Sequence, residues 1–264
     1  MEQPAARLRA SWPVTLTLLL FAVSAIVLVF KDDDTPAPRV SSSQIDLASL
    51  PASSTKTTIK VAPKDPRPRR IPKGTVVHPR RVVPLYDQPD GKPFAKIGPH
   101  QFGDTWLPVI TRNRDWVQVL LPSRPNGSTG WIESSQVQEA ISHDLIRVHL
   151  GSRSMELFRN GKHVGRWAVA VGASSTPTPT GRTFVLGQVE DDQQPFSPVI
   201  LPLGSHSDTL DTFGGGPGTV AIHGWTDPSV FGKAISHGCI RVPDDALAQV
   251  RTVPIGTPVV VDDA

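Results

Sequence analysis

Cysteine, tyrosine and methionine are scarce in this chain. Its 264 residues include one cysteine, one tyrosine and two methionines. A single cysteine excludes an intramolecular disulfide, so the chain must fold without that cross-link. The one thiol, Cys239, therefore stays free, and a free thiol outside the cytoplasm is a liability unless the protein uses it.

Long amphipathic helical patterns are also missing. The chain has 27 prolines and 21 glycines, and its apolar residues mostly occur in short runs rich in valine and isoleucine. This pattern indicates a mostly β protein of one large domain or two modest ones. Beyond about residue 144, only residues 243–251 have a helical pattern, with a proline and acidic residues at the start.

The net charge of +3 is modest but unevenly distributed. Between Lys56 and Arg81 there are nine Lys or Arg and a single acid, Asp65. This segment is either a solvated, disordered basic stretch or a weak attractant for anionic surfaces such as phospholipid headgroups or wall polymers. It has no aromatic interleaving and no recognisable nucleic-acid-binding fold, so no nucleic-acid partner is expected.

Residues 12–30 form an apolar run without a charged side chain. A helix of this length spans about 28 Å, close to one hydrocarbon core. Arg7 and Arg9 precede the run, so the positive-inside rule places the tail, residues 1–11, in the cytoplasm and the rest of the chain outside. We predict a single-pass transmembrane anchor, with a signal peptide cleaved around Ala22–Ala25 as the alternative.

Two further segments follow the predicted anchor. Residues 31–74 are rich in Pro, Ser, Thr and Lys, which predicts a disordered linker. Residues 75–140 alternate apolar and polar positions around turn signals at Pro89–Gly91 and Asn126–Gly127, as in a small barrel of about five strands. This segment resembles a bacterial SH3-like domain, chiefly through YDQPDGKP, DWVQV and the closing GWI.

The aromatic residues of this segment allow two interpretations. They either line a peptide-binding groove or form the core of a barrel that has few other large residues. The core is favoured for Trp116 and Trp131, whereas Tyr86 is the one expected to be exposed. The full set is Tyr86, Trp106, Trp116 and Trp131.

Residues 144–262 again have an alternating β pattern, and Asn160–Gly161 between two such runs predicts a tight hairpin. The stretch also contains Cys239, with His237 two residues before it and His223 sixteen before. A thiol with a pKa near 8.5 is mostly protonated at neutral pH, so a nucleophilic cysteine needs an adjacent imidazole or a positive dipole. This is a candidate cysteine-nucleophile site.

The residues around this cysteine carry a family resemblance. HG at 223–224, followed by SHGCIR at 236–241, resembles the signature of the YkuD-type L,D-transpeptidase catalytic domain. PTPTG at 177–181, GGGPG at 214–218 and AIHG at 221–224 match further motifs of that family in order.

The resemblance covers residues 144–262 and implies a β-sandwich-like catalytic domain. The expected fold class is therefore mostly β, with this domain preceded by a small SH3-like β-barrel and an N-terminal transmembrane helix. The catalytic domain is expected on the extracytoplasmic side, toward the cell wall.

The resemblance also implies an activity on peptidoglycan stem peptides. Family members attack the carbonyl of the third stem residue, release the terminal D-alanine of a tetrapeptide stem and transfer the acyl group to an amine of a neighbouring stem, forming a 3→3 cross-link. Carbapenems are expected as covalent inhibitors, and no cofactor is expected. Transfer to water instead would make the protein an L,D-carboxypeptidase. A non-catalytic wall-binding scaffold is the alternative from another class.

Transferred residue by residue, the motif makes Cys239 the nucleophile and His223 the general base. The carbonyl of Gly224 is expected to orient the imidazole. The backbone amides around Gly238 and Cys239 are the candidate donors to an oxyanion, because a tetrahedral intermediate needs fixed N–H groups.

Other motif residues keep two interpretations each. Arg241 either pairs with a substrate carboxylate or supports the loop, and Ser236 is expected to hydrogen-bond to the loop. His237 either lines the site or fills space. Trp225 either narrows the groove or packs on a lid.

A metal site is not expected. Zinc sites usually need three or four ligands, and the histidines and the cysteine of the motif offer no suitably spaced addition. His206 is a third ligand, a substrate contact or an ordinary loop histidine, with the last interpretation favoured.

Overall fold

The computed structural model describes residues 45–190 and 194–264. The predicted cytoplasmic tail, the predicted anchor at 12–30 and the first part of the predicted linker lie outside these ranges. Within them, no helix has the length and apolar character needed to cross a bilayer. The anchor therefore stays a prediction.

The first part of the described chain is a seven-stranded antiparallel sheet. The alternating runs predicted about five strands, and six form between residues 75 and 133, with a seventh that returns to pair with the first. The SH3-like assignment stays a prediction. The strands are β1 (Thr75–Pro79), β2 (Val83–Tyr86), β3 (Pro93–Ile97), β4 (Leu107–Asn113), β5 (Trp116–Leu120), β6 (Thr129–Glu133) and β7 (Val137–Ile141), in the sheet order β3-β2-β6-β5-β4-β1-β7.

The expectation that Tyr86 is exposed is wrong. Tyr86 is 3% exposed, and its ring meets that of the buried Trp116 edge-to-face at 4.9 Å. The reason is that β2 lies between β3 and β6, so its end is covered. Burial, together with the charge of Glu133, raises the pKa of Tyr86 to about 12. Trp116 belongs to the core as predicted, whereas Trp106 and Trp131 are partly buried.

Residues 45–74, which we call the strap, are ordered against this sheet, which corrects the disordered linker predicted there. The amide of Ser53 donates to the carbonyl of Lys96 at 2.8 Å, and the amide of Ile59 donates to the carbonyl of Arg124 at 2.8 Å. Ile59 and Ala62 are buried in the hydrophobic core of the sheet. The composition of the strap predicted disorder, but a few buried apolar residues and hydrogen bonds to the edge of the sheet suffice to order it.

The single acid of the basic segment makes a buried ion pair. Asp65 accepts two hydrogen bonds from the guanidinium of Arg182, at 2.5 and 2.6 Å, and both residues are buried. Arg182 also donates to the carbonyl of Arg70 at 3.1 Å. Because Arg182 lies in β12 (Gly181–Phe184), this pair joins the strap to the second half of the chain.

Replacing Asp65 by asparagine is expected to lower the free energy of unfolding by about 3–5 kcal/mol, because it leaves the buried Arg182 without its counter-charge. Urea denaturation measures this loss. The matched control is Asp263→Asn, because Asp263 pairs with Arg69 on the surface and exposed pairs contribute less than about 1 kcal/mol. Equal losses in the two variants would contradict the prediction.

The second half of the chain packs two sheets face to face. The first has the order β10-β9-β8-β18-β12 and the second β13-β14-β15-β17, while β11 and β16 form a short parallel pair. The additional elements are β8 (Asp144–His149), β9 (Ser154–Arg159), β10 (Lys162–Ala168), β11 (Val171–Gly172), β13 (Val189–Glu190), β14 (Val199–His206), β15 (Thr219–Gly224), β16 (Ala234–Ser236), β17 (Ile240–Val242), α1 (Asp244–Val250) and β18 (Pro258–Asp262).

Two local predictions in this half are confirmed. Asn160 and Gly161 both have positive φ, 51° and 72°, and form the tight turn between β9 and β10. The predicted helix is α1, which follows Pro243 and has two aspartates in its first turn. The buried side of α1 and the inner faces of both sheets contribute to one core of aliphatic side chains. This core holds β15 and β17 rigidly beside each other.

Candidate active site

Parallel pairing of β15 with β17 brings the predicted base to the predicted nucleophile. His223 pairs with Arg241 in this ladder, and Cys239 lies one residue before β17. Paired residues and residues two apart on a strand share one face of a sheet. His223 and Arg241 therefore project from the same face, and the turn that carries Cys239 leads directly into this ladder.

The turn that presents Cys239 is closed by Ser236. The hydroxyl of Ser236, which is 1% exposed, donates to the carbonyl of Cys239 at 2.6 Å and accepts from the amide of Gly238 at 3.1 Å. The expected hydrogen bond from Ser236 to the loop is therefore present. Gly238 has φ +116°, a conformation that a side chain would strain. Because the Gly238 amide is already engaged, the amide of Cys239 is the better oxyanion donor of the two.

A second loop supports this turn from outside. The hydroxyl of Thr178 donates to the carbonyl of Gly238 at 2.8 Å and accepts from the amide of Gly172 at 2.9 Å. The hydroxyl of Thr176 donates to the carbonyl of Ser236 at 2.9 Å. The sequence analysis treated PTPTG only as a motif and predicted no role for Thr178 within it or for Thr176 directly before it. The available signal was a pair of hydroxyls on a proline-stiffened loop.

His223 is oriented by a backbone carbonyl. Its Nδ1 lies 2.8 Å from the carbonyl oxygen of Gly224, which can only accept, so Nδ1 carries the proton and Nε2 keeps the basic lone pair. The amide of Gly224 in turn donates to the hydroxyl of Ser197 at 2.8 Å, and the ring of Phe196 packs against the imidazole at 5.1 Å. Ser197 and Phe196 were also missed, because nothing near them in sequence points to the motif.

The pKa shifts of His223 and Cys239 both favour the neutral form at pH 7. Burial lowers the pKa of His223 to about 4, and the charge of Arg241 acts in the same direction, against the bond to Gly224. Burial raises the pKa of the Cys239 thiol, and a backbone hydrogen bond with Ala221 and the charge of Arg241 only partly oppose this. Cys239 is nevertheless partly accessible. The pair is therefore suited to general-base activation at the moment of attack.

Arg241 lies beside the thiol in a packed position. Its guanidinium carbon is 3.6 Å from the centre of the Trp225 ring, and Trp225 also packs near Phe196 at 5.6 Å between ring centres. The buried Nε of Arg241 has no hydrogen-bond partner within residues 45–190 and 194–264. Trp225 thus holds the guanidinium in place at the edge of the site.

The other two histidines considered from the sequence, His237 and His206, have different surroundings from His223. His237 is exposed, and its ring stacks on that of Phe213 with centres 5.0 Å apart. His206 is buried at the end of β14 rather than in a loop, and its Nε2 is 2.9 Å from the carbonyl oxygen of Thr55. Burial lowers the pKa of His206 to about 4. The described residues contain no group of three or more His, Cys, Asp or Glu arranged to hold a metal.

The pH dependence of thiol reactivity is expected to follow from these two shifts. His223 loses its base function only as pH falls toward 4, whereas the raised pKa of Cys239 makes the thiolate fraction grow above pH 7. The rate of modification by a carbapenem, measured from pH 4 to 10, should rise continuously on the alkaline side. Free cysteine provides the reference. A rate that stays flat from about pH 5 to pH 10, with no rise on the alkaline side, would contradict the raised pKa of the Cys239 thiol.

Comparison with known proteins agrees with this geometry. Residues 143–261 match the sequence model of a family described as the L,D-transpeptidase catalytic domain, YkuD. The matched range includes both sheets, β15, β17 and all of the predicted site residues. This part of the chain is therefore similar to the YkuD-type L,D-transpeptidase catalytic domain.

Individual proteins are also similar to this chain. YkuD of Bacillus subtilis (strain 168), which bears an L,D-transpeptidase name, is 30% identical over 118 residues, covering 44% of this chain and 65% of that protein, just under two thirds of its length. YkuD of Bacillus licheniformis is 28% identical over 163 residues, covering 59% of this chain and 92% of that protein. The solved catalytic domain of an E. faecium L,D-transpeptidase is 27% identical, and the match covers 46% of this chain and 98% of that chain with a TM-score of 0.35.

Proposed function

We propose that this protein is an L,D-transpeptidase that forms 3→3 cross-links between peptidoglycan stem peptides through an acyl-enzyme on Cys239. The observation that carries the proposal is the pairing of β15 with β17, which puts the carbonyl-oriented His223 beside the strand that begins directly after Cys239. The chain has no other cysteine, so Cys239 is the only thiol that could form a thioester.

The acylation step moves one proton twice. As Sγ of Cys239 attacks the carbonyl of the third stem residue, Nε2 of His223 takes the thiol proton, and the amide of Cys239 donates to the developing oxyanion. Collapse of the tetrahedral intermediate breaks the peptide bond. The imidazolium then gives its proton to the amine of the leaving D-alanine, so that a thioester and neutral His223 remain.

The transfer step reverses these roles. The side-chain amine of a neighbouring stem attacks the thioester carbonyl, and His223 accepts the proton that the amine loses. The thiolate of Cys239 leaves and recovers that proton. We assign the charge of Arg241 to stabilising the negative charge that develops at the sulfur, because Arg241 lies close enough to oppose the raised pKa of the thiol. Pairing with a stem carboxylate is its other candidate role.

The location follows from the sequence rather than from the fold. We propose that residues 12–30 anchor the chain as a single-pass membrane protein, with the N-terminus in the cytoplasm and the catalytic domain outside. This location is where peptidoglycan stem peptides are found. Carbapenems, as acylating agents, are proposed covalent inhibitors of Cys239.

Product analysis tests the proposed reaction. The protein is incubated with disaccharide-tetrapeptide fragments, and mass spectrometry follows free D-alanine and the 3→3 dimer. Release of D-alanine together with the dimer supports transpeptidation. D-alanine release with only the hydrolysed tripeptide identifies an L,D-carboxypeptidase. Neither product, with wall binding unchanged in Cys239→Ala, would support the wall-binding scaffold.

A further inference from the structure

The turn between β5 and β6 reaches from the N-terminal sheet into the base of the loop between β14 and β15. We call residues 207–218 the β14–β15 loop. One guanidinium nitrogen of Arg124 donates to the carbonyl of Pro217 at 2.7 Å, and the other donates to the carbonyl of Leu210 at 3.1 Å and lies 3.5 Å from that of Ser207. Arg124 therefore links both limbs of this loop.

A second residue of the same turn strengthens this contact. The side-chain amide of Asn126 accepts from the amide of His206 at 2.8 Å, and it donates to the carbonyl of His206 at 2.7 Å and to the carboxylate of Asp208 at 2.9 Å. Asn126 thus holds the chain where β14 ends and the β14–β15 loop begins.

At the base of the loop, the backbone of Gly218 lies close to the carbonyl of Leu210 and to the guanidinium of Arg124. Gly218 has φ +67°, and a Cβ there would lie 2.2 Å from the carbonyl oxygen of Leu210 and 3.1 Å from the guanidinium of Arg124. The backbone of Arg124 is itself fixed by the strap, because its amide donates to the carbonyl of Thr57 at 2.9 Å and its carbonyl accepts from the amide of Ile59 at 2.8 Å. We call the contact of Arg124 with the β14–β15 loop the clamp. The strap therefore fixes the clamp on its N-terminal side as well.

The tip of the same loop lies beside the site. Phe213 and Gly216 exchange two backbone hydrogen bonds, of 3.0 and 2.9 Å, which fold the tip into a tight turn. The ring of Phe213 is 52% exposed and stacks on His237, two residues before Cys239. The tip thus packs on the turn that carries Cys239, and its direction is set where Arg124 joins the two limbs.

We propose that Arg124 is a positioning residue that acts through the β14–β15 loop to hold Phe213 against His237, so that the N-terminal domain shapes the groove for the stem peptide. This inference rests on the proposed function for its substrate. It explains why the turn of a separate sheet is joined to the loop that precedes the proposed catalytic histidine in the chain.

The test compares Arg124→Gln, Phe213→Ala and the double variant. Each single change is expected to lower kcat/KM for acylation by a tetrapeptide stem by about 10- to 100-fold, the size of effect that small displacements near a reacting centre produce. The double variant should lose no more than the worse single one, because both changes remove the same placement. Alkylation of Cys239 by iodoacetamide, which needs no groove, should stay within about twofold of wild type.

Two matched variants separate placement from general damage. Arg112→Gln makes the same change in the same domain at an exposed pair with Glu139, and it is expected to leave all rates unchanged. Arg124→Lys should be intermediate, because an ammonium group lacks the fork that spans two limbs. Thermal unfolding checks that Arg124→Gln is folded, and Phe213→Ala, at an exposed position, provides a test independent of folding.

A readout without substrate tests the inference separately from the proposed function. Amide hydrogen exchange within residues 207–218 should be faster in Arg124→Gln than in wild type, while exchange in β15 and β17 is unchanged. Unchanged exchange in the loop, additive losses in the double variant, or full activity of Phe213→Ala would each overturn the inference. A wild-type protein that reacts with iodoacetamide but never with a stem peptide would refute the proposed function. The exchange measurement would still show whether Arg124 holds the β14–β15 loop.

Discussion

Replacing Cys239 by alanine is expected to abolish covalent capture of a carbapenem. Intact-mass spectrometry should show one adduct on the wild-type protein and none on Cys239→Ala. The chain has a single cysteine, so the difference assigns the thioester without peptide mapping. Turnover of tetrapeptide stems should fall by at least about a thousandfold, because the chain has no other thiol to form the thioester.

The control for this experiment is the fold of the variant. Ser236 bonds to the backbone of Cys239 rather than to its thiol, so the turn should survive removal of the sulfur, and the thermal unfolding temperature should change little. No adduct on a folded wild-type protein that still reacts with iodoacetamide would contradict the catalytic assignment. An adduct on Cys239→Ala would move the nucleophile elsewhere.

His223→Gln is expected to lower the acylation rate by about 100- to 10,000-fold, the range that general-base catalysis contributes. Glutamine keeps a side-chain group near the carbonyl of Gly224 but offers no nitrogen that can take the thiol proton. The thiol pKa is raised by burial, so little thiolate forms without this base at pH 7. Single-turnover acylation, followed by mass, measures the loss.

The matched comparison is His237→Gln. His237 is exposed and stacks on Phe213, so its replacement should change binding of the stem more than the chemical step. An acylation rate in His223→Gln equal to that of the wild type, or a larger loss in His237→Gln, would remove His223 from the role of base.

A stability measurement shows independently whether His223 is buried and neutral. Its pKa is about 6.5 in an unfolded chain and about 4 in the fold, so the folded state binds fewer protons between these values and loses stability as pH falls from 6.5 toward 4. His223→Gln removes this loss, whereas His206, which behaves alike, retains its own. The variant should therefore unfold at lower pH than the wild type.

Local patterns in the sequence predicted elements where short-range geometry dominates. Asn160 and Gly161 accept positive φ, and the turn between β9 and β10 follows from that alone. Pro243 with its following acids predicted α1 in the same way. The strap was missed because its order depends on partners far along the chain, such as Arg182 for Asp65. Tyr86 was misplaced because its burial depends on which strands lie on either side of β2.

The residues of the site likewise fall into those that a sequence motif marks and those that only the tertiary structure brings to the site. Cys239, His223 and Ser236 stand in a motif that resembles that of the YkuD-type domain, and it is this resemblance that implies acyl transfer. Thr178 supports the turn from the separate PTPTG motif, and Ser197 supports the histidine from a segment without a motif, because a hydrogen bond needs only proximity in space. Arg124 acts from another sheet, and no local pattern marks it.

The sequence by itself determined a mostly β chain with one free thiol, a candidate base for it and a YkuD-type motif, because turn residues, strand alternation and short motifs are local properties. Only the tertiary structure shows that the pKa shifts of His223 and Cys239 both favour the neutral form, since these shifts depend on burial and on the charge of Arg241. It also decided that the strap and the N-terminal sheet contact the loop beside the site, because those contacts join residues far apart in sequence.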